Sequence, residues 1–192
     1  MSDRPTPQII RFEDAAALEA WLAGHYGVRC GIWVKIAKKN SGVTSVTCPE
    51  ALDIALCHGW IDGQRKACDE TYYLQKFTPR RARSLWSQVN VRKAEGLVAA
   101  GRMREPGFAE ILAAKADGRW DTAYESQRDS TTPPDLAAAL EGNQAARDTF
   151  ERLGKTEKYT VILRLLTART PGARTARLQR MITLMEAGQR AR

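Results

Sequence analysis

Between Thr47 and Phe77 the chain spells out one complete helix and one β-hairpin with almost no slack between them, and this stretch restricts the fold more than any other. Thr47-Cys-Pro-Glu50 is a helix start: Thr47 caps, Pro49 suits the first turn, and Glu50 can return to the cap in a capping box. Ala51, Leu52, Ala55 and Leu56 give a helix over Glu50 to about His58 an apolar face, and Gly59 ends it. Trp60 to Lys66 and Tyr72 to Phe77 then read as two strands joined by Cys68-Asp-Glu-Thr71. Thr78 to Arg83 leaves the sheet as a basic loop.

The flanking sequence extends this unit. Phe12, Leu18, Trp21 and Leu22 fall at helical spacings over residues 13–26, and Gly31 to Ala37 is β-branched and aromatic, as strands are. A short strand is expected over Thr44 to Thr47. Ser87 caps a helix to Ala100 with Val91, Ala94, Leu97 and Val98 on one face, and Pro106 opens another to Ala116 with Phe108, Ile111 and Leu112 apolar. The expectation is α+β: a small antiparallel sheet packed with helices, followed by a small all-helical C-terminal unit. We divide the chain into a core over residues 1–118, a linker over 119–134 and a helical unit over 135–192. In the last, helices are expected over Asp135 to Glu141, Ala145 to Leu153, Glu157 to Arg169 and Arg174 to Ala187, with Pro171-Gly172 as a break. Leu178, Met181, Ile182 and Met185 would face inward, leaving Arg174, Arg177 and Arg180 as a basic stripe.

Composition excludes several classes. With 43% hydrophobic and 27% charged residues the chain is globular. It has no apolar run near the roughly 20 residues that cross a bilayer. Met1 to Ile10 lacks the charged and apolar regions of a secretory signal, which points to the cytoplasm. Cys30, Cys48, Cys57 and Cys68 are not spaced as a zinc knuckle, so no metal is expected. Phosphate loops and dinucleotide fingerprints are missing, so no cofactor is expected either. The net charge of +8 is unevenly spread: residues 76–104 hold 8 bases against 1 acid, residues 105–151 hold 4 against 10, and residues 152–192 hold 10 against 2. Such segments either neutralise one another or present an anion-binding face.

Chemistry-bearing residues gather around the hairpin. Trp60, Asp62 and Gln64 alternate along a strand and would share one face, with Arg80 and Trp86 following and Glu50, Asp53 and Asn90 nearby. A carboxylate, an amide and an indole beside arginines suit a small polar ligand, so Trp60, Asp62, Gln64, Arg80 and Trp86 form the candidate ligand site. The same residues have structural roles open to them: Glu50 as a cap, Asp62-Gly63 as a bend, Arg80 as the partner of Asp62. Cys57 and His58 are adjacent on a helix and point about 100° apart, so they do not form a nucleophile–base pair. Lys35, Lys38 and Lys39, with the basic segments, offer phosphate contacts, and Trp33, Tyr72, Tyr73 and Phe77 offer rings. No base-reading motif accompanies them, and the balance is against nucleic acid.

The run Glu50-Ala-Leu-Asp-Ile-Ala-Leu-Cys-His-Gly-Trp-Ile-Asp-Gly-Gln64 resembles the YdeI/OmpD-associated family, also called bacteriocin-protection proteins. So does Phe77-Thr-Pro-Arg-Arg-Ala-Arg-Ser-Leu-Trp-Ser87, with Asn90 and Lys93-Ala-Glu95 after it. The resemblance runs from about Phe12 to Met185. It implies a bacterial protein tied to survival of antimicrobial or bacteriocin stress, with a small helical C-terminal domain. Ala168 to Arg177 departs from the family's pattern by lacking its acid, and His58 stands where relatives often carry an aromatic residue. The reading is therefore a stress- or bacteriocin-protection-type protein that binds a small polar ligand or a protein partner. The alternatives are an enzyme acting at the Asp62/Arg80 region and nucleic-acid binding through the basic segments. Binding is favoured over catalysis.

Overall fold

The computed structural model describes residues 6–127, 129–168 and 170–190. The start of the stretch read for a secretory signal lies outside them, as does Arg169, the expected end of a C-terminal helix. The chain forms two compact units: one runs to Trp86 and resumes over Asn90–Thr122, and the other gathers Ser87–Val89 with the residues from Ala123 onward. Among the described residues no helix is long and apolar enough to cross a membrane.

The first unit is built in the order β1 (Gln8–Arg11), α1 (Ala15–His25), β2 (Ile32–Ala37), α2 (Cys48–Cys57), β3 (Trp60–Ala67) and β4 (Tyr72–Pro79), then α3 (Gln88–Ala99) from Asn90 onward and α4 (Glu105–Ala116). The strands form one sheet in the order β1-β2-β4-β3. β2, β4 and β3 are antiparallel neighbours, as the sequence implies, whereas β1 runs parallel to β2 along the edge. Four residues give β1 too little alternation to stand out in the sequence. The strand expected over Thr44 to Thr47 does not form. Instead the Val46 N–H reaches the Phe12 carbonyl at 3.2 Å, and Ser45 Oγ accepts the Ala37 N–H at 2.9 Å.

Local chemistry explains the helix boundaries. Asp14 accepts the Ala17 N–H at 2.8 Å and starts α1. The capping box of α2 is closed in both directions, with Glu50 accepting the Thr47 N–H at 2.9 Å and Thr47 Oγ1 accepting the Glu50 N–H at 3.4 Å. Those bonds hold the Glu50 carboxyl below its ordinary pKa. Helices α1 and α2 bury Leu18, Leu22, Ala51, Ile54 and Ala55 against Ile32, Val34, Ile36, Trp60 and Phe77 on one face of the sheet.

One expected apolar face is rotated, and another is narrower than expected. On α4 the buried residues are Gly107, Ile111 and Ala114, while Phe108 and Leu112 are 41% and 65% exposed. The cause is a close helix crossing: a methyl on Gly107 would overlap the Cys57 carbonyl oxygen and Met103 Sδ, so the smallest residues face inward. On α3, Ala94 and Leu97 are buried and Val98 is 38% exposed.

The hairpin carries a bulge. Asp62 pairs with Phe77 and Arg65 with Gln75, which leaves one extra residue on β3. Buried Gln75 holds the bulge in place. Its Nε2 donates to the Gly63 carbonyl at 2.9 Å and to the Gln64 carbonyl at 3.4 Å, and its Oε1 accepts from Arg65 Nε at 3.0 Å. Gln75→Leu keeps the volume but removes all three bonds, and leaves carbonyls without a donor. It is expected to cost about 1–3 kcal/mol in urea denaturation, whereas a structurally silent Gln75 would show no change in midpoint.

The second unit is all-helical: α5 (Pro134–Glu141), α6 (Gln144–Arg152), α7 (Lys155–Leu166) and α8 (Pro171–Glu186). Leu136, Leu140, Phe150, Ile162, Leu165, Met181 and Met185 form its core, with Leu178 and Ile182 half-buried at the margin. Pro171 opens α8 rather than breaking the chain, because Thr170 caps it by accepting the Ala173 N–H at 3.1 Å. The expected basic stripe is partly absorbed by packing. Arg174 forms two bonds to Asp135, at 2.7 and 2.9 Å, and donates to the Leu165 carbonyl at 3.0 Å. Arg177 donates to the Arg164 carbonyl at 2.7 Å. These guanidinium groups satisfy carbonyls in the last turn of α7, where cations are favoured.

Candidate functional site

The hairpin residues do not converge as one site. Trp60 is fully buried in the core, its Nε1 donating to the Tyr26 carbonyl at 2.8 Å and its ring meeting Trp21 edge-on at 6.2 Å. Asp62 follows it on the same face of β3. The bulge then inverts the alternation, so Arg65 rather than Gln64 shares that face. Glu50 is a cap, and Asp53 pairs with Lys93 at 2.6 Å.

Arg80 and Trp86 do meet. The guanidinium carbon lies 3.8 Å from the Trp86 ring centroid, both residues are buried, and Arg80 Nη2 donates to the Leu85 carbonyl at 2.7 Å. Trp120 packs on Trp86 with centroids 4.8 Å apart, and Arg119 Nη1 donates to the Ser84 carbonyl at 2.6 Å. The Asp62 side chain has an exposed edge, yet the protein packed around its carboxyl desolvates it and raises its pKa, against the pull of its backbone N–H, Arg65 and Arg80. Desolvation likewise raises Glu110, against Arg80 and Arg119. Arg80 thus acts on two carboxyls from a buried position, beneath a loop it also ties together.

Cys57 and His58 are both buried. Desolvation raises the thiol and lowers the imidazole, so burial suppresses the ionised form of each. His58 lies at the base of a cleft of about 400 Å³ with Ala23, Tyr26 and Pro106, across which Arg104 pairs with Glu19 at 2.7 Å. Among the described residues, no three His, Cys, Asp or Glu side chains are grouped as metal ligands.

The larger cleft, about 630 Å³, lies in the helical unit. Buried Phe150 and Ile162 line it together with Gln127, Ser130, Thr132, Lys155, Lys158 and Tyr159. Lys158 Nζ sits 5.5 Å from the Phe150 ring centroid, and Tyr159 donates to the Glu125 carbonyl at 2.9 Å. Ser130 Oγ is buried with no hydrogen-bond partner among the described residues. Lys155 and Lys158 occupy the first turn of α7, where the helix dipole disfavours cations. That local conflict is visible in Gly154-Lys-Thr-Glu-Lys158 as a sequence, but a charge count over the whole segment hides it. None of these lining residues belongs to the candidate set around the hairpin.

The first unit is an α+β sandwich of one sheet and its covering helices, and the second is a helical module with a lysine-lined cleft. Residues 10–110, more than half of the chain, match the family described as a domain of unknown function (DUF8412), and the chain belongs to that family. Residues 129–188 match the family described as Bacteriocin-protection, YdeI or OmpD-Associated. The bacteriocin-protection resemblance therefore holds over the helical unit, whereas the motifs at 50–64 and 77–95 fall within the other family's match. No curated protein and no solved structure matches the chain.

Proposed function

We propose that this is a bacteriocin-protection-type protein that acts by binding, and that its helical unit holds a small molecule with an apolar body and an anionic group. The cleft, lined by Gln127 and by seven residues within the stretch matching the bacteriocin-protection family, is the observation that carries this reading. Phe150 and Ile162 form an apolar floor, and Lys155, Lys158, Gln127 and Thr132 supply charge and hydrogen bonds around it. Two lysines set against a helix dipole cost stability when the cleft is empty, and an anion placed there reverses the sign of that term.

Octanoate and phenyl phosphate are suitable probes, with the uncharged methyl ester of octanoate as the control. Both anions are expected to raise the thermal midpoint by mass action, and the ester to leave it unchanged. Lys158→Met is expected to weaken binding about tenfold in titration calorimetry, the loss of one charge-assisted bond. Equal binding of the ester, or unchanged affinity in Lys155→Met and Lys158→Met, would overturn the proposal.

A further inference from the structure

The sheet of the first unit has a second face, opposite α1 and α2. Paired residues on neighbouring strands point to the same side, so the register fixes which side chains share it. One row across the sheet is Ile9, Trp33 and Lys76. The next is Arg11, Lys35, Leu74 and Lys66, and Ala37 with Tyr72 begins a third. Ile9, Arg11 and Lys66 are exposed, and Trp33, Lys35, Tyr72 and Lys76 are half-buried. Exposed Lys38 and Lys39 continue from the end of β2, where the Lys38 N–H donates to the Thr71 carbonyl at 2.8 Å. The acids at this face lie in the β3–β4 turn, as Asp69 and Glu70.

The two rings that the central strands place on this face, Trp33 and Tyr72, each have at least one ammonium group over them. Lys66 Nζ lies 4.2 Å and Lys76 Nζ 5.6 Å from the Trp33 centroid, and Lys35 Nζ lies 4.5 Å from the Tyr72 centroid. The stems of these lysines cover apolar surface, and Lys35 Nζ also pairs with Asp69 Oδ2 at 3.3 Å, a half-exposed contact that a phosphate would replace.

We propose that this face binds single-stranded nucleic acid, with bases stacked on Trp33 and Tyr72 and phosphates met by Lys35, Lys66 and Lys76. The pairing of an aromatic ring with adjacent cations repeats the pairing of base with phosphate along a single strand. Successive rows lie about 6.8 Å apart along the strands, so an extended backbone can pass from one lysine to the next. Lysines on flexible stems follow such a backbone without demanding one fixed geometry. An acidic peptide would use the cations and leave the rings idle. A bilayer would need protruding apolar side chains to insert, whereas Trp33 and Tyr72 are half-buried in the face; a base stacking on either ring moves the ammonium group from the ring to the adjoining phosphate.

The test is fluorescence anisotropy of the full chain with a labelled oligothymidylate of about fifteen nucleotides, titrated from about 25 to about 200 mM KCl. Binding should weaken with a log–log salt slope of about −2 to −3, for three or four phosphates neutralised on a single strand. Lys66→Gln with Lys76→Gln should lower that slope by about 1.4. Trp33→Leu should weaken binding about tenfold and leave the slope unchanged, because it removes stacking and no charge. Circular dichroism verifies the fold of each variant, and Tyr72→Leu replaces Trp33→Leu if the latter unfolds. No binding at the lowest salt, or a flat slope, would overturn the proposal. So would heparin or anionic phosphatidylglycerol vesicles competing as well as the oligonucleotide while Trp33→Leu and Tyr72→Leu bind like the parent.

Discussion

Gly31→Ala is expected to lower stability by about 3 kcal/mol or more, and the thermal midpoint by about 6–12 °C. Gly31 sits between α1 and β2 with φ at +68°, a region that costs an L-residue about 1–2 kcal/mol. A methyl group there would also overlap the Phe77 carbonyl oxygen and come within 3.0 Å of Thr78 Cα. Those atoms belong to β4 backbone in the middle of the sheet, so relief would require separating β2 from β4. Such overpacking adds about 1–3 kcal/mol. Gly96→Ala is the contrasting control. Gly96 is on α3, its added methyl would meet nothing within 4 Å, and the change should stabilise by about 0.4–1 kcal/mol. Equal urea midpoints for the two variants would mean that the chain does not enter β2 through a left-handed turn.

Where the sequence is a good guide, the determinants are local. Thr47 and Glu50 are three residues apart and need only each other, so the start of α2 is legible without tertiary information. The hairpin is legible because β-branched and aromatic residues flank a polar turn, and Asp69 closes that turn by accepting the Thr71 and Tyr72 N–H groups at 2.9 and 2.7 Å. The same hairpin hides its bulge, which depends on Gln75 reaching across from the partner strand. Gln64 therefore looks as though it belongs with Asp62, and it does not. The face of α4 misleads for a related reason. Hydrophobicity favours Phe108 and Leu112, but the crossing with α2 selects for smallness, and Gly107 carries no hydrophobic signal.

The candidate sites divide in the same way. Arg80 and Trp86 are six residues apart and meet through one loop, so their association follows from the sequence. The cleft in the helical unit needs Gln127 and Thr132 from the segment before α5 to face Lys155 and Lys158 on α7. No spacing rule brings those segments together; the packing of α5–α8 around Leu136, Phe150 and Leu165 does. The lysine-flanked face of the sheet is intermediate. Trp33 and Lys35 are apparent as strand residues, but Lys66 and Lys76 reach Trp33 only through the register of three strands.

Arg80→Ala is expected to cost about 3 kcal/mol near neutral pH, with a pH dependence that separates charge from packing. The packing loss is the cover over Trp86 and the bond to the Leu85 carbonyl, and it is the same at every pH. The charge acts on Asp62 and Glu110, whose carboxyls desolvation already raises. A carboxyl raised on folding favours the folded state when protonated. Its contribution is complete below the unfolded pKa, near 4, and is lost as pH rises through the folded value. Arg80 lowers both folded values and so limits that loss. Without it both carboxyls titrate higher, and the variant should lose further stability as pH rises from about 4 toward 7. Arg80→Met keeps much of the stem over Trp86 and should recover part of the packing loss while retaining the pH signature. Urea denaturation at about pH 4 and about pH 7 reads both quantities. A penalty identical at the two pH values would show that Arg80 serves Trp86 and its loop alone, and would remove the electrostatic link between this arginine and the two carboxyls.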